Sequence, residues 1–136
     1  MYRIIYRSIE TAPLTHSMLK KLLDKSRRRN IEQEISGILI YHRGVFLQLL
    51  EGDADAVKDI FRLIERDRRH KQVTTLLAAD KPGGRVFGQW PMGFAEGDDA
   101  AAIISGVEDL PAGLSTPQLD RVGAIKILIE AAKLAA

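Results

Sequence analysis

Two apolar runs separated by three residues constrain the fold of this chain more than any other feature. Residues 35–41 and 45–51 are rich in Ile, Leu, Val and Phe, and His42, Arg43 and Gly44 join them. Runs of this length and composition are typical of buried strands. A short link with glycine suits a hairpin, because glycine adopts left-handed backbone angles without strain. The pattern therefore predicts two antiparallel neighbouring strands inside a sheet.

Strand and helix patterns alternate on both sides of this hairpin. Residues 2–8 are β-branched and aromatic with interleaved arginines, and residues 73–79 and 90–95 give a fourth and a fifth strand. Apolar residues recur at helical spacing from Thr15 to about Arg29, and again after Asp53. Thr and Asp are good N-caps for these helices. The resulting β-α-β-β-α-β-β order predicts an α+β, ferredoxin-like fold with two helices on one face of the sheet.

The last part of the chain, residues 97–136, is predicted to be a C-terminal helical extension of a domain formed by residues 1–96. It has weak helical signals before Pro111 and a clearer helix from about Gln118. An apolar stripe recurs in that helix at spacings of three and four: Val122, Ile125, Ile129 and Ala132. The stripe needs a partner surface. We expect the extension to cover the sheet face opposite the two helices and to contribute to a homo-oligomer or partner surface.

Composition excludes several classes of protein. The chain has no Cys, and its three His residues, His16, His42 and His70, lack metal-ligand spacing, so no metal site is predicted. The formal net charge of +2 is too small to demand an acidic partner. The N-terminus is too short and polar for a signal peptide, and no apolar run approaches the ~18 residues of a spanning helix. A cytoplasmic protein is expected.

Three features look out of place in this pattern. Gln48 is the one polar residue in the run 45–50, and a buried amide without partners costs ~1–3 kcal/mol. On the run alone, a Gln satisfied by neighbouring backbone is the simpler interpretation, and a bound polar group is the alternative. Asn30, at the expected end of the first helix, suits a left-handed C-terminal position. The basic stretches 27–29 and 66–71 suit solvated helix ends, or a phosphate.

Individually, Tyr6, Trp90 and Met92 are interpreted as core or rim residues, but together these features resemble the BLUF family, blue-light sensors that use FAD. Five segments carry the resemblance, in family order: IIYRS (4–8), RRNIEQEISGILIY (28–41), GVFLQLLEG (44–52), RDRRH (66–70) and FGQWPM (87–92). They span almost all of the first 95 residues. Ser36 stands where the family usually has Thr.

The resemblance implies a chemistry. FAD, with FMN or riboflavin as possible substitutes, would lie between the two helices with its polar edge near the first three strands. Asn30 would hold the flavin carbonyl and N3 edge, and Gln48 would bridge that edge to the Tyr6 hydroxyl. In light, Tyr6 would give an electron and a proton, and Gln48 would rotate or tautomerise, because an amide is both donor and acceptor.

Further positions follow from the same resemblance. Arg69 and His70 match family positions near the flavin, Ser8 and Ser26 would add polar contacts, and Trp90 and Met92 would relay the signal. The chain would not be an enzyme and would act on a separate effector or regulator protein, as a homo-oligomer, without a membrane or direct nucleic-acid contact.

The sequence leaves two other functions to consider, an RNA-binding module and a small phosphate-handling enzyme. A ferredoxin-like sheet with basic flanks can bind RNA, but the chain has no K/R-G-F/Y-G/A-F-V-x-F/Y run. A small phosphate-handling enzyme could use Asn30 and an arginine, but the chain has no phosphate-cradling glycine-rich loop.

Overall fold

A computed structural model describes residues 1–80, 82–88, 90–107 and 120–135. The elements occur in this order: β1 (Tyr2–Glu10), α1 (His16–Glu32), β2 (Ser36–His42), β3 (Val45–Gly52), α2 (Ala54–Arg66), β4 (His70–Asp80), β5 (Gly93–Ala95), α3 (Gly97–Ser105) and α4 (Arg121–Ala135). The β-α-β-β-α-β-β order and the α+β class are confirmed. The positions Pro111 and Gln118, which bounded the predicted terminal helices, lie outside the described residues.

The five strands form one mixed sheet in the order β4-β1-β3-β2-β5. Strand β1 is antiparallel to both β3 and β4, and β5 is parallel to β2. Strands β2 and β3 form the predicted antiparallel hairpin. Arg43 and Gly44 turn the chain there with φ angles of 50° and 78°, a left-handed pair whose twist matches that of the flanking strands.

Alternation along the central strands gives the sheet two apolar faces. On β1, Ile4 and Tyr6 pack with buried residues of α1 and α2, whereas Ile5 packs with buried residues of α3 and α4. On β3, Phe46 belongs to the first face and Leu47 to the second. Successive side chains of a strand point to opposite faces, so the chain must cover both faces, and the four helices do so in pairs.

The structure corrects the expected position of Asn30. Helix α1 continues to Glu32, so Asn30 lies within it with a fully buried side chain rather than at a left-handed C-terminal position. After the end of α1, Glu34 rather than Asn30 has the left-handed backbone, with a φ of 54°. The Asn30 side chain bonds to the carbonyl of Pro91, in another segment.

The expected fifth strand over residues 90–95 is also too long. Strand β5 begins at Gly93, so Trp90 and Met92 precede it. The cause is a turn: the backbone N–H of Trp90 donates to the carbonyl of Phe87 at 2.9 Å, which takes Trp90 out of an extended conformation.

The apolar stripe predicted for α4 is wrong by about one residue. Val122 is 58% exposed and Ile129 is 54% exposed, although both were expected to be covered. The residues that α4 buries against the sheet are Ala124, Ile127, Leu128 and Ala131. Ile125 and Ala132 of the predicted stripe are partly buried at its edge. In the described parts of the chain, no helix has both the length and the apolarity that a membrane crossing requires.

Candidate functional site

A cavity of about 340 Å3 opens between α1, α2 and the sheet. This volume falls within the range of roughly 300–1,000 Å3 that is usual for small-molecule sites. Apolar side chains form its walls, and charged side chains surround its mouth. The lining residues are Tyr6, Leu22, Lys25, Ser26, Arg29, Leu39, Phe46, Gln48, Leu63, Ile64, Arg66, Asp67, Arg69 and His70.

Two of the predicted site residues, Tyr6 and Gln48, meet on the sheet side of this cavity. They face each other in the register between β1 and β3. The Tyr6 hydroxyl donates a short hydrogen bond to Gln48 Oε1, and Gln48 Nε2 donates to Met92 Sδ at 3.3 Å. All three side chains are almost fully buried. The polar Gln48 in an apolar strand is therefore satisfied by two side chains rather than by backbone.

Burial keeps Tyr6 protonated over a wider pH range than that of an exposed tyrosine. Removal from water raises the pKa of Tyr6 well above its usual value, and the positive charge of Arg29 opposes this only in part. The phenol therefore stays neutral at physiological pH and keeps its proton for the bond to Gln48 Oε1. Because the amide can offer either its oxygen or its NH2 group, Gln48 can reverse the pattern of donors and acceptors without a change of volume.

Arg29 is a cavity residue that the sequence interpretation missed. The stretch 27–29 suits a solvated helix end or a phosphate, but Arg29 lines the cavity, and its Nε is buried without a hydrogen-bond partner among the described residues. Burial lowers the pKa of Arg29. One signal could have found it: Arg29 lies three residues after Ser26, so both lie on the same face of α1.

Asn30 does not line the cavity as the structure stands. Its Nδ2 donates to the carbonyl of Pro91 at 2.7 Å, and its Oδ1 is buried with no partner among the described residues. A buried polar atom without a partner costs about 1–3 kcal/mol. The unpartnered atoms of Asn30 and of its neighbour Arg29 are thus two polar groups for which a ligand would provide partners.

The other predicted contacts lie at the α2 end of the cavity. Arg69 is paired with the Asp67 carboxylate through Nε at 2.9 Å, which lowers the pKa of Asp67 and raises that of Arg69. His70 Nδ1 lies 2.7 Å from Ser8 Oγ, and His70 Nε2 lies 2.6 Å from the carbonyl of Ile64. Because a carbonyl only accepts, Nε2 carries a proton.

Ser26 is already engaged within its own helix. Its hydroxyl donates to the Leu22 carbonyl at 2.9 Å, while its oxygen lines the cavity wall and still has acceptor capacity. Ser26, Arg69 and His70 are therefore brought together with Tyr6 and Gln48 around one cavity.

Trp90 and Met92 lie on opposite faces of the sheet. Met92 belongs to the apolar cluster of α1 and α2 and touches Gln48, whereas Trp90 packs against the cluster that contains α3 and α4. The Trp90 ring stacks on Phe87 with centroids 6.1 Å apart. Of the two, Met92 is the neighbour of the Tyr6–Gln48 pair.

These features fit a flavin. An isoalloxazine ring is flat and apolar at one end, and its other end carries two carbonyls and an N–H group. The cavity offers apolar walls, the reversible amide of Gln48 and the unpartnered Nε of Arg29. The unpartnered Oδ1 of Asn30 belongs to the next residue of α1, outside the cavity lining. The fold and the site define an α+β module with a cavity of ligand size between two helices, beside a buried tyrosine and glutamine.

Comparison with known proteins identifies the family. The family model described as "Sensors of blue-light using FAD", BLUF, matches residues 1–93. This chain belongs to the BLUF family and is a blue-light sensor that binds a flavin. The family is one of sensor modules, not of enzymes.

Named relatives share the matched region within longer proteins. The chain is 38% identical over 73 residues to photoactivated adenylate cyclase subunit beta of Euglena gracilis, which covers 54% of this chain and 8% of that protein. It is 35% identical over 86 residues to the blue light- and temperature-regulated antirepressor BluF of Escherichia coli (strain K12), which covers 63% of this chain and 21% of that protein. The matches thus cover only 8% and 21% of the length of these two curated relatives.

Solved structures match over nearly the whole of both chains. The dark state structure of the BLUF protein BlrB superposes with a TM-score of 0.77 at 28% identity, covering 96% of this chain and 95% of that one. The similarity therefore extends beyond residues 1–93.

Proposed function

We propose that the chain is a blue-light photoreceptor that holds FAD non-covalently in the cavity between α1 and α2 and signals to a separate protein. The observation that carries this proposal is the bond from the buried Tyr6 hydroxyl to Gln48 Oε1 at the cavity wall. A bound flavin supplies absorption of blue light and, once excited, an oxidising ring.

Tyr6 and Gln48 perform the switch in this proposal. Tyr6 is the electron and proton donor: its hydroxyl releases the proton to the Gln48 oxygen and recovers it when the electron returns. Gln48 rearranges while its bond to Tyr6 is broken, by rotation or tautomerisation of the amide. The rearranged Gln48 then presents a donor where it presented an acceptor. The raised pKa of Tyr6 extends this role to alkaline pH, because a phenol that is already ionised has no proton to release.

Binding involves the groups around the cavity. Asn30 Oδ1 and Arg29 Nε are proposed to bond the polar ring edge, and Ser26 and His70 to line its path. Lys25 and Arg66 add positive charge to the cavity lining beside the Arg69–Asp67 pair, which favours a phosphorylated flavin over riboflavin. The family description names FAD.

The signal is proposed to leave through the segment 90–92. The carbonyls of its three residues are each held: Trp90 by the Gly37 N–H at 3.2 Å, Pro91 by Asn30 Nδ2 at 2.7 Å, and Met92 by Arg27 Nε at 3.0 Å. Loss of the contact between Gln48 Nε2 and Met92 Sδ would therefore disturb a segment that leads through β5 into α3.

The receiving surface is proposed to be the outer side of α4, where Val122 and Ile129 are exposed. Exposed apolar residues on one helix suit a partner protein or a second copy of this chain. Light and dark sizing of the flavin-loaded protein, and a light and dark pull-down, test this part. Identical assembly and identical bound proteins in both states would contradict it.

Release of the pigment by denaturation tests the cofactor. Chromatography of the supernatant should give FAD, and a titration of flavin-free protein should give tighter binding of FAD and FMN than of riboflavin. Equal affinity for all three would contradict the proposed role of Lys25 and Arg66. A protein that retains no flavin would contradict the function itself.

A further inference from the structure

The position of Trp90 depends on a glycine three residues later. The Trp90 ring lies over Gly93, the first residue of β5. A Cβ atom built at Gly93 would overlap Trp90 Cε3 and would lie only 2.7 Å from Cζ3 and 3.1 Å from Cδ2. These are atoms of a rigid fused ring, not the end of a flexible chain, so the ring itself would have to leave.

The backbone on the other side of this contact has little freedom to yield. Gly93 pairs with Ile38 in the parallel ladder between β2 and β5, and Met92, just before it, is 2% exposed. The carbonyl of Trp90 is held by the Gly37 N–H at 3.2 Å. A substitution at Gly93 is therefore expected to move the Trp90 side chain first.

The alternation of side chains along residues 92–95 shows that the Trp90 ring could also lie on the cavity face of the sheet. Along residues 92–95, Met92 and Phe94 face the cavity side, whereas Ala95 packs on the far side. If the extended conformation continued back to Trp90, Trp90 would share the face of Met92, because residues two apart in a strand point the same way. The turn at Phe87 and the space above Gly93 together keep Trp90 on the far face.

We propose that Gly93 is a positioning residue that reserves the place beside Gln48 for Met92 by seating the Trp90 ring on the opposite face of the sheet. This inference rests on the proposed function of Gln48. The thioether of Met92 only accepts, so it suits Gln48 Nε2 as a donor and leaves Oε1 for Tyr6. An indole in that place only donates, and would favour the reversed amide.

Gly93→Ala tests the proposal, with Gly84→Ala as the matched control. A Cβ at Gly84 meets no atom within 4 Å, and its backbone is not left-handed. Trp90 is the one tryptophan of the chain, so its emission and its quenching by acrylamide report the ring directly. In flavin-loaded protein kept dark, Gly93→Ala should shift both and should change the rate of dark recovery after blue light several-fold. Gly84→Ala should change none of the three.

Wild-type emission, quenching and recovery in Gly93→Ala would overturn the proposal. A second pair removes the ring: Trp90→Ala and Trp90→Ala with Gly93→Ala should recover at the same rate, because no clash remains. Different rates would show that Gly93 acts by another route and would also overturn it.

If Gly93→Ala does not fold, folding of the double variant supports the clash, and failure of both overturns it. A wild type without a light response would contradict the proposed function, but Trp90 emission would still test whether Gly93 determines the position of the Trp90 ring.

Discussion

Tyr6 and Gln48 lie directly opposite each other on antiparallel strands, and the Tyr6 hydroxyl donates its hydrogen bond to the Gln48 side-chain oxygen. The strand register fixes this pairing, so neither side chain needs a flexible loop to reach the other. A slip of one residue would turn every side chain of β1 to the other face. The two groups are thus positioned by the most strongly determined part of the fold.

Replacement of Tyr6 by Phe should preserve flavin binding and remove the stable red-shifted state after blue light. The ring still fills its place, but the hydroxyl that donates to Gln48 is gone. Light-minus-dark absorption spectra measure the effect. Tyr41→Phe is the control, because Tyr41 is another tyrosine of this sheet face whose hydroxyl donates to a carboxylate, that of Glu10, outside the cavity lining. A normal spectrum in Tyr6→Phe would show that Tyr6 is not the donor.

Replacement of Asn30 by Ala should weaken flavin binding by about two- to tenfold, since one hydrogen bond contributes a net ~0.5–1.5 kcal/mol. The dark absorption spectrum should change as well, because the proposed bond reaches the ring. Fluorescence titration of flavin-free protein gives the affinity. Arg28→Ala, an exposed neighbour on α1, should leave both properties unchanged. Unchanged affinity and spectrum in Asn30→Ala would argue against the contact.

The light response should persist at pH 10. Burial raises the pKa of Tyr6, whereas an ordinary tyrosine is half ionised near pH 10. The stability that the neutral phenol contributes is fully present below the unfolded pKa of about 10, and it is lost as the pH rises through the higher folded value. Difference spectra between pH 7 and pH 10.5 check this. A response that disappears with a midpoint near pH 10 would contradict a buried, protonated Tyr6.

Glu51 should be essential for stability. Its fully buried carboxylate accepts bonds from Arg3 Nε at 3.2 Å, Ser36 Oγ at 3.0 Å, and the backbone N–H groups of Val86 at 3.0 Å and Phe87 at 2.6 Å. Removal of one partner from a buried ion pair costs about 3–5 kcal/mol. Glu51→Ala should lower the free energy of unfolding by an amount near that range, as measured with a chemical denaturant.

Glu65→Ala provides the comparison for Glu51, because Glu65 is an exposed carboxylate on α2. Its effect should stay within about 0.5 kcal/mol, as is usual for surface substitutions. Equal effects of the two substitutions would show that the buried carboxylate does not hold the segment 86–87 in place.

The sequence predicted the strands and helices well because their patterns are unambiguous. In the hairpin at Gly44 and in the first two helices, the spacing of apolar residues fits only one type of secondary structure and only one buried face. Helix α4 fails this condition: Val122, Ile125 and Ile129 keep helical spacing, but so do Ala124, Ile127 and Leu128. Only the tertiary contact with the sheet decides which set is buried.

The sequence predicted most of the residues that meet at the cavity, but neither their contacts nor the position of Asn30 outside the cavity lining. The resemblance named Tyr6, Gln48 and His70, and all three line the cavity. The sequence W-x-M could not show that Trp90 and Met92 lie on opposite faces of the sheet. Residues two apart in a strand share a face, but the turn at Phe87 takes Trp90 out of the strand. The inward position of Arg29 depends on the tertiary packing of α1, which the run of three arginines conceals.

The light-minus-dark absorption spectrum of the purified protein, recorded beside that of Gln48→Leu, tests the central claim most directly. The wild type should be yellow and should show a small red shift under blue light that reverses in the dark. Gln48→Leu should bind flavin but lose that shift, because Leu fills the space without a reversible amide. A colourless wild type that refuses added FAD, or a normal reversible shift in Gln48→Leu, would contradict the account.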